Sequence, residues 1–410
     1  MKKLIFIYLT ASLLFLNACA SSKSTLKQTS SESNVSAPEQ APQTLQYPTH
    51  TITNTETVDF LPDSSHIKPL GRTLFFDDQL ILCYSSTGAE FNINAKRLDI
   101  TITGDSNARM TVDNGSAARI AVFVNGERKL DEMILSQTQT FTVFDDKQAT
   151  TGLVRILKIS EASSSVAAIS KITTDKDGSI SPSPASPLKI EFIGDSITCG
   201  YGVDDPDRNH HFKTSTEDNT KSYAYKTAVN LNADYSMVSV SGWGIISGYS
   251  GNGAKQAGSQ LPKYYDRLAV SWTNINGIDP KAVRWDFKTF VPDIVVINLG
   301  TNDATYTKGN SEKINEYKDA YIEFIKDIRS KNPDAYIICS LGMMGQDLCN
   351  AVEAVVKSYS ELTGDKKVTY LKFANQSMSD GIAADWHPSE KTHEKAATLL
   401  TSKIKSVIGK

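Results

Sequence analysis

The spacing of apolar residues changes its period once along this chain, and the change falls on a proline-rich break. Before the break the repeat is two. Phe91, Ile93 and Ala95 alternate with Asn92 and Asn94, and Leu98, Ile100 and Ile102 alternate with Asp99, Thr101 and Thr103. Successive side chains of a strand point to opposite faces, so this alternation predicts half-buried strands. Shorter runs of the same character occupy Arg109–Val112, Ile120–Val124, Phe141–Phe144 and Leu153–Ile159. Asn125-Gly126 is a hairpin signal, and Gly104-Asp105 and Asp113-Asn114-Gly115 read as turns. No stretch here offers an amphipathic helix of useful length. Residues 56–173 are therefore expected to form an antiparallel β-sandwich of about eight strands, jelly-roll in style.

The break itself contains Asp-Lys-Asp-Gly followed by Ser-Pro-Ser-Pro-Ala-Ser-Pro. Pro182, Pro184 and Pro187 oppose both helix and central strand, which predicts a linker over 174–187. Beyond it, residues 188–410 alternate strands with helices. Leu188–Ile193, Asp234–Val240, Ile294–Asn298, Ala335–Cys339 and Val368–Leu371 read as strands. The third is apolar almost throughout, as a parallel strand covered on both faces should be. Tyr223–Leu231 and Ala351–Tyr359 read as helices, Ile314, Tyr317, Tyr321, Ile325 and Ile328 share one helical face, and Ser389 can cap a last helix. The expected whole is a multidomain protein, a β-sandwich followed by an α/β domain with a mostly parallel sheet.

The N-terminus carries a targeting pattern. Lys2 and Lys3 precede an apolar run from Leu4 to Leu16, too short to span a bilayer comfortably and suited to the core of an export signal. Leu16-Asn17-Ala18-Cys19 resembles a bacterial lipobox. That resemblance implies a signal peptide over 1–18, lipid on Cys19 as the membrane anchor, and a tether over 19–55 rich in Ser, Thr, Gln and Pro. The expected location is the bacterial envelope, lipid-anchored, with Ala20 lacking the acidic character of an inner-membrane retention signal and so favouring the outer membrane. Cys83, Cys199, Cys339 and Cys349 lack metal-ligand spacing; either a Cys339–Cys349 disulfide or buried thiols fit them. The net charge of -3 shows no excess of positive charge for a nucleic-acid partner.

In open parallel sheets, ligands bind at the carboxyl ends of strands. Three polar groupings fall there: Gly194-Asp195-Ser196-Ile197-Thr198, Ser241-Gly242-Trp243-Gly244 and Gly300-Thr301-Asn302-Asp303. A fourth, Asp385-Trp386-His387, precedes the last helix. A serine hydroxyl at a strand-to-helix turn can project into the crevice, but it needs a base to take its proton. His387 is the candidate base. In an extended segment residues i and i+2 point the same way, so Asp385 is the candidate orienter of its imidazole. Asp195 and Asp303 are read as braces for their loops.

These four blocks, in this order, resemble the signature of the SGNH, or GDSL, hydrolase superfamily over residues 188–407. With the β-region in front of it, the chain is similar to carbohydrate esterase family 2, which removes acetyl groups from plant polysaccharides. The resemblance implies a serine esterase without cofactor, with Ser196, His387 and Asp385 catalytic. It implies an oxyanion hole from the backbone N–H groups of Ser196 and Gly242 and the side-chain amide of Asn302, with Gly244 close enough to be confused with Gly242. The Asp-Trp-His spacing departs from the wider superfamily, where the Asp stands three residues ahead. It fits the smaller family, some of whose members use a backbone carbonyl in place of the carboxylate.

Trp243 and Trp386 are candidate sugar-stacking residues, with core packing the competing role. The polar insertion 204–220 is a candidate rim; its adjacent His210 and His211 do not aim at one centre, and no metal is expected. The expected partner is an acetylated oligo- or polysaccharide. Two other readings fit the same blocks less well: an SGNH lipase, arylesterase or thioesterase, which would want a broad apolar acyl pocket, and a glycan-binding protein with a decayed site, which need not keep Ser196, Asn302 and His387.

Overall fold

The computed structural model describes residues 56–108 and 115–409. The signal peptide, Cys19 and its tether, and the strand expected at Arg109–Val112 lie outside the described residues. Among the described residues no helix is long and apolar enough to cross a membrane.

The front region is antiparallel throughout. Its strands are β1 (Thr57–Phe60), β2 (Lys68–Leu70), β3 (Thr73–Phe76), β4 (Gln79–Leu82), β5 (Thr87–Gly104), β6 (Arg119–Val124), β7 (Glu127–Met133), β8 (Thr138–Lys158), β9 (Ala167–Asp175) and β10 (Ser179–Pro182). All ten are hydrogen-bonded into one sheet, with a central path β3-β4-β9-β5-β8-β6-β7. Two long strands dominate it, β5 with 18 residues and β8 with 21. They pair with each other along their length, and their register shifts between Ala95 and Arg97 and again between Leu98 and Asp99. Such bulges bend a strand and add twist. The sequence pattern breaks each of these strands at its polar middle, which is why it suggests fewer and shorter strands. Asn125 and Gly126 both adopt positive φ and close the β6–β7 hairpin as expected.

The segment expected as a linker is partly sheet. Residues 179–182 form β10 and pair with Asn94–Phe91 of β5, placing Pro182 opposite Phe91. Among the described residues β10 has no other partner strand, and a proline is tolerated at such an edge because no ladder donor is needed there.

The second sheet is wholly parallel: β11 (Lys189–Gly194), β12 (Asp234–Ser239), β13 (Ile294–Asn298), β14 (Tyr336–Leu341) and β15 (Val368–Lys372), in the spatial order β12-β11-β13-β14-β15. Every residue of β13 is buried, as its sequence predicts. The helices are α1 (Ser196–Cys199), α2 (Tyr223–Asn230), α3 (Thr301–Thr307), α4 (Ser311–Lys331), α5 (Cys349–Thr363) and α6 (Glu390–Val407). Tyr317, Tyr321, Ile325 and Ile328 of α4 are buried on one face, and Ser389 caps α6 by accepting the Thr392 N–H at 3.4 Å.

The described residues fall within one packing unit, and two of the three apolar cores draw on both sheets. Ile81, Tyr84 and Val166 of the front region pack with Ile193, Val295 and Tyr265 of the second. Arg72, from the turn between β2 and β3, donates to Glu191 of β11 at 2.9 Å, both side chains being buried. The four described cysteines are free and buried, so the Cys339–Cys349 disulfide does not form.

Candidate active site

The chain runs from β11 to β12, then crosses to β13 on the other side of β11. That reversal opens a crevice at the carboxyl ends of these three strands. Ser196, Gly242 and Asn302 follow those three strand ends in turn. Ser196 opens α1, where Asp195 caps the turn by accepting the Ile197 N–H at 3.0 Å. Gly200 ends the turn at φ 82°, a left-handed conformation that costs a glycine little. Gly242 sits at φ 78° for the same reason.

Three residues with N–H donors line the crevice. The backbone N–H groups of Ser196 and Gly242 have no acceptor among the described residues, and both residues line the cavity. The Gly244 N–H is taken by the Ser259 carbonyl at 3.2 Å, so of the two glycines only Gly242 keeps an N–H without an acceptor among the described residues. The Asn302 amide nitrogen donates to the Trp243 carbonyl at 2.8 Å and lies 3.3 Å from Asp195 Oδ2. The first contact aims the amide, and the longer one is the weaker hold on the hydrogen that an oxyanion would take.

Asp195 and Asp303 act as braces, as their positions suggest. The Asp303 carboxylate accepts the N–H groups of Ile245, Ile246 and Ser247, all within 3.1 Å. Burial pushes Asp303 up to about 6 against those bonds. Burial, with the charge of Asp303 nearby, pushes Asp195 up to about 7.

His387 Nε2 lies 2.8 Å from Ser196 Oγ. Its Nδ1 lies 3.2 Å from two backbone carbonyl oxygens, those of Ala384 and Asp385. A carbonyl only accepts, so Nδ1 carries the proton and Nε2 presents a lone pair to the serine hydroxyl. Burial lowers the His387 pKa to about 4, with the two carbonyls and the Asp385 charge opposing it. The imidazole is thus a neutral base at pH 7.

The Asp385 carboxylate does not orient His387. It accepts from Tyr201 Oη, His211 Nδ1 and the Phe212 N–H, each at 2.9 Å. Burial raises its pKa, but these three bonds outweigh that and hold it below the usual range. The reason for the departure is local. Asp385 sits at φ 48°, ψ 36° and Trp386 at φ 64°. Two successive left-handed residues turn the chain tightly, so the i, i+2 argument, which needs an extended segment, fails here.

Around this pair lies a cavity of about 750 Å³ lined by Ser196, Tyr201, Gly242, Asn302, Trp386 and His387, among others. Trp386 is 51% exposed at its edge, with the Arg208 guanidinium 4.4 Å from its ring centre. Trp243 is not a wall of the cavity: it is buried and packs edge-on against Tyr264 in the core. The insertion 204–220, expected as a rim, contributes no residue to the cavity lining; it packs behind the loop that carries His387. Its carbonyls at Asp205 and His210 accept the N–H groups of Ala384 and Asp385. His210 pairs with Asp205 while His211 reaches Asp385, so the two rings do not converge.

Tyr201 is the participant that sequence reading missed. Its ring stacks on His387 at 3.9 Å and on Phe212 at 4.2 Å. An aromatic residue just after the nucleophile turn is the only trace it leaves in the sequence.

Comparison with known proteins identifies the family and the fold. The GDSL-like Lipase/Acylhydrolase family matches residues 192–395, and the Carbohydrate esterase 2 N-terminal family matches residues 70–184. A cellulase/esterase, CelE, of Acetivibrio thermocellus is 39% identical over 225 residues, which is 54% of this chain but only 26% of that protein. An acetylxylan esterase/glucomannan deacetylase of Cellvibrio japonicus is 25% identical over 372 residues, 89% of this chain and 93% of that one. Among solved structures, a family two carbohydrate esterase from Clostridium thermocellum, in complex with cellohexaose, superposes with a TM-score of 0.70 at 31% identity, covering 84% of this chain and 99% of that one. A parallel sheet with these groups at its strand ends, an antiparallel region packed against it, and a likeness that extends over nearly all of that esterase place the chain in carbohydrate esterase family 2.

Proposed function

We propose that the protein is a polysaccharide O-acetylesterase in which Ser196 is the nucleophile and His387 the base. The observation that carries this reading is the 2.8 Å contact between Ser196 Oγ and His387 Nε2 at the floor of an open cavity. As Oγ attacks the acetyl carbonyl, Nε2 takes its proton. The carbonyl oxygen becomes an anion between the N–H groups of Ser196 and Gly242 and the Asn302 amide. Collapse of that intermediate breaks the bond to the sugar oxygen, which leaves as a hydroxyl with the proton held by His387. A water, deprotonated in turn by Nε2, attacks the acetyl-serine; the bond to Ser196 Oγ breaks, Oγ takes the proton back from Nε2, and acetate is released. The Ala384 and Asp385 carbonyls keep Nδ1–H in place through both half-reactions, and Tyr201 holds the ring's plane by stacking.

The substrate class follows from the relatives, whose names record acetylxylan and glucomannan and, for one structure, a bound cellohexaose. Trp386 offers a half-exposed ring at the cavity edge on which a sugar face can stack. Wild-type protein should release acetate from acetylated xylan or glucomannan, and Ser196→Ala should lower that rate by about 10⁴-fold or more with unchanged thermal stability. Equal rates for the two proteins would sink the proposal. Lipid on Cys19 would hold this activity at the cell envelope; Cys19→Ala should then move it from the membrane fraction to the soluble fraction of an expressing cell, and unchanged partition would end that part of the reading.

A further inference from the structure

One buried carboxylate outside the Ser–His pair reaches the active site from the other region of the molecule. Glu161 lies in the loop between β8 and β9, and its side chain crosses into the second region. Its Oε2 accepts the Ser241 N–H at 2.9 Å. Ser241 directly precedes Gly242. The same oxygen is 3.9 Å from the Sγ of Cys199, the last residue of α1, which Ser196 opens.

The surrounding segment is pinned at almost every other point. The Gly242 carbonyl accepts the Tyr249 N–H at 2.7 Å, the Trp243 N–H donates to the Val240 carbonyl at 3.3 Å, and the Trp243 carbonyl takes the Asn302 amide. The Gly242 N–H is left without an acceptor among the described residues, and Gly242 lines the cavity. A glycine at positive φ has no side chain to fix its orientation, so the direction of that N–H depends on anchors on either side of it. Glu161 supplies the anchor on the N-terminal side.

The carboxylate is itself rigidly mounted. The Glu161 N–H donates to Glu217 Oε2 at 2.7 Å, and the buried Lys158 ammonium donates to the carbonyls of Ser160 and Glu161 at 2.7 and 3.0 Å. Burial, reinforced by the neighbouring Glu161, raises Glu217 well above the usual carboxyl range.

We propose that Glu161 is a positioning residue for the oxyanion hole: a carboxylate from the front β-region that holds Ser241 so that the Gly242 N–H points at the reacting acyl oxygen. This inference rests on the esterase reading above. The front region then completes the active site from behind, without touching the substrate.

The test uses the full chain with Glu161→Ala, Glu161→Gln and Glu161→Asp. Active sites are titrated with a fluorophosphonate, so that kcat is expressed per competent site. KM is measured on 4-nitrophenyl acetate, and the inhibition constant of an arylboronic acid, whose serine adduct places an oxygen in the hole, is measured alongside. In Glu161→Ala, kcat per titrated site should fall about 10-fold or more, as for partial loss of one oxyanion donor, with KM within about twofold. Boronate binding should weaken by a similar factor. Glu161→Gln keeps an acceptor for the Ser241 N–H and should recover most of the loss. Unchanged kcat per site and unchanged boronate binding in Glu161→Ala, with only a lower melting temperature, would overturn the proposal. Should the Ala variant not fold, Glu161→Asp decides by the same readouts, since it keeps the charge and shortens the reach. A wild-type protein indifferent to Ser196→Ala would instead defeat the esterase reading and leave this one without an object.

Discussion

The two sheets of this protein divide the work unevenly. The parallel region carries the groups that the proposed reaction brings to the acyl carbon: Ser196, Gly242, Asn302 and His387. The antiparallel region carries none of them, yet it sends buried polar side chains into its neighbour. Arg72 reaches Glu191 of β11 and the carbonyls of Tyr265 and Arg267. Ser86 donates to Asn219, whose amide in turn holds the carbonyl of Thr198 in the nucleophile turn at 2.6 Å. Glu161 holds the loop beside Gly242. One region does the chemistry and the other braces the loops on which the chemistry depends. A detachable binding module would meet its neighbour through an exposed linker and a small polar contact. Here the interface is core, and part of the expected linker, residues 179–182, is a strand of the sheet.

The largest effect should come from breaking that interface. Arg72→Ala leaves the buried Glu191 carboxylate without its cation and should cost about 3–5 kcal/mol of unfolding free energy, measured by urea denaturation, while kcat per folded molecule stays near wild type. A loss under about 1 kcal/mol would mean that the two regions are joined more loosely than their packing indicates.

A smaller effect separates two roles within the parallel region. Because the Asp385 carboxylate binds Tyr201, His211 and Phe212 rather than His387, Asp385→Asn should lower kcat/KM by less than about 10-fold, whereas loss of a carboxylate that directly orients the base costs about 10⁴-fold. A drop near the larger figure would restore the triad. The pH profile sharpens the same point. A base must be unprotonated to work, and the folded pKa of His387 is lowered to about 4, so activity should be lost as pH falls through about 4 rather than through 6.5. The Asp385 charge opposes that lowering, so its removal should move the acid limb to still lower pH. A limb near 6.5 in wild type would show the imidazole to be well solvated in solution.

Much of this was readable in advance because the relevant signals are local. Strand and helix periods placed the five parallel strands to within a residue or two, and the polar blocks at three strand ends and before the last helix singled out Ser196 and His387, while the family resemblance carried by those blocks added Gly242 and Asn302. What local pattern could not report was direction. Trp243 and Trp386 are both flanked by site residues, yet one packs inward against Tyr264 and the other stands half exposed. Asp385 is two residues from His387, yet a left-handed turn points it elsewhere.

The sequence by itself determined the period of each region, the order of the functional blocks and the chemical types of the reacting groups, since these depend on residues adjacent along the chain. Tertiary structure alone decided which atom orients the imidazole, that Tyr201 stacks on it, and that Arg72 and Glu161 cross from one sheet to serve the other. The physical reason is that a buried polar group must find a partner wherever the fold brings one within about 3 Å, and that partner can stand 80 or 119 residues away with no trace in the pattern around it.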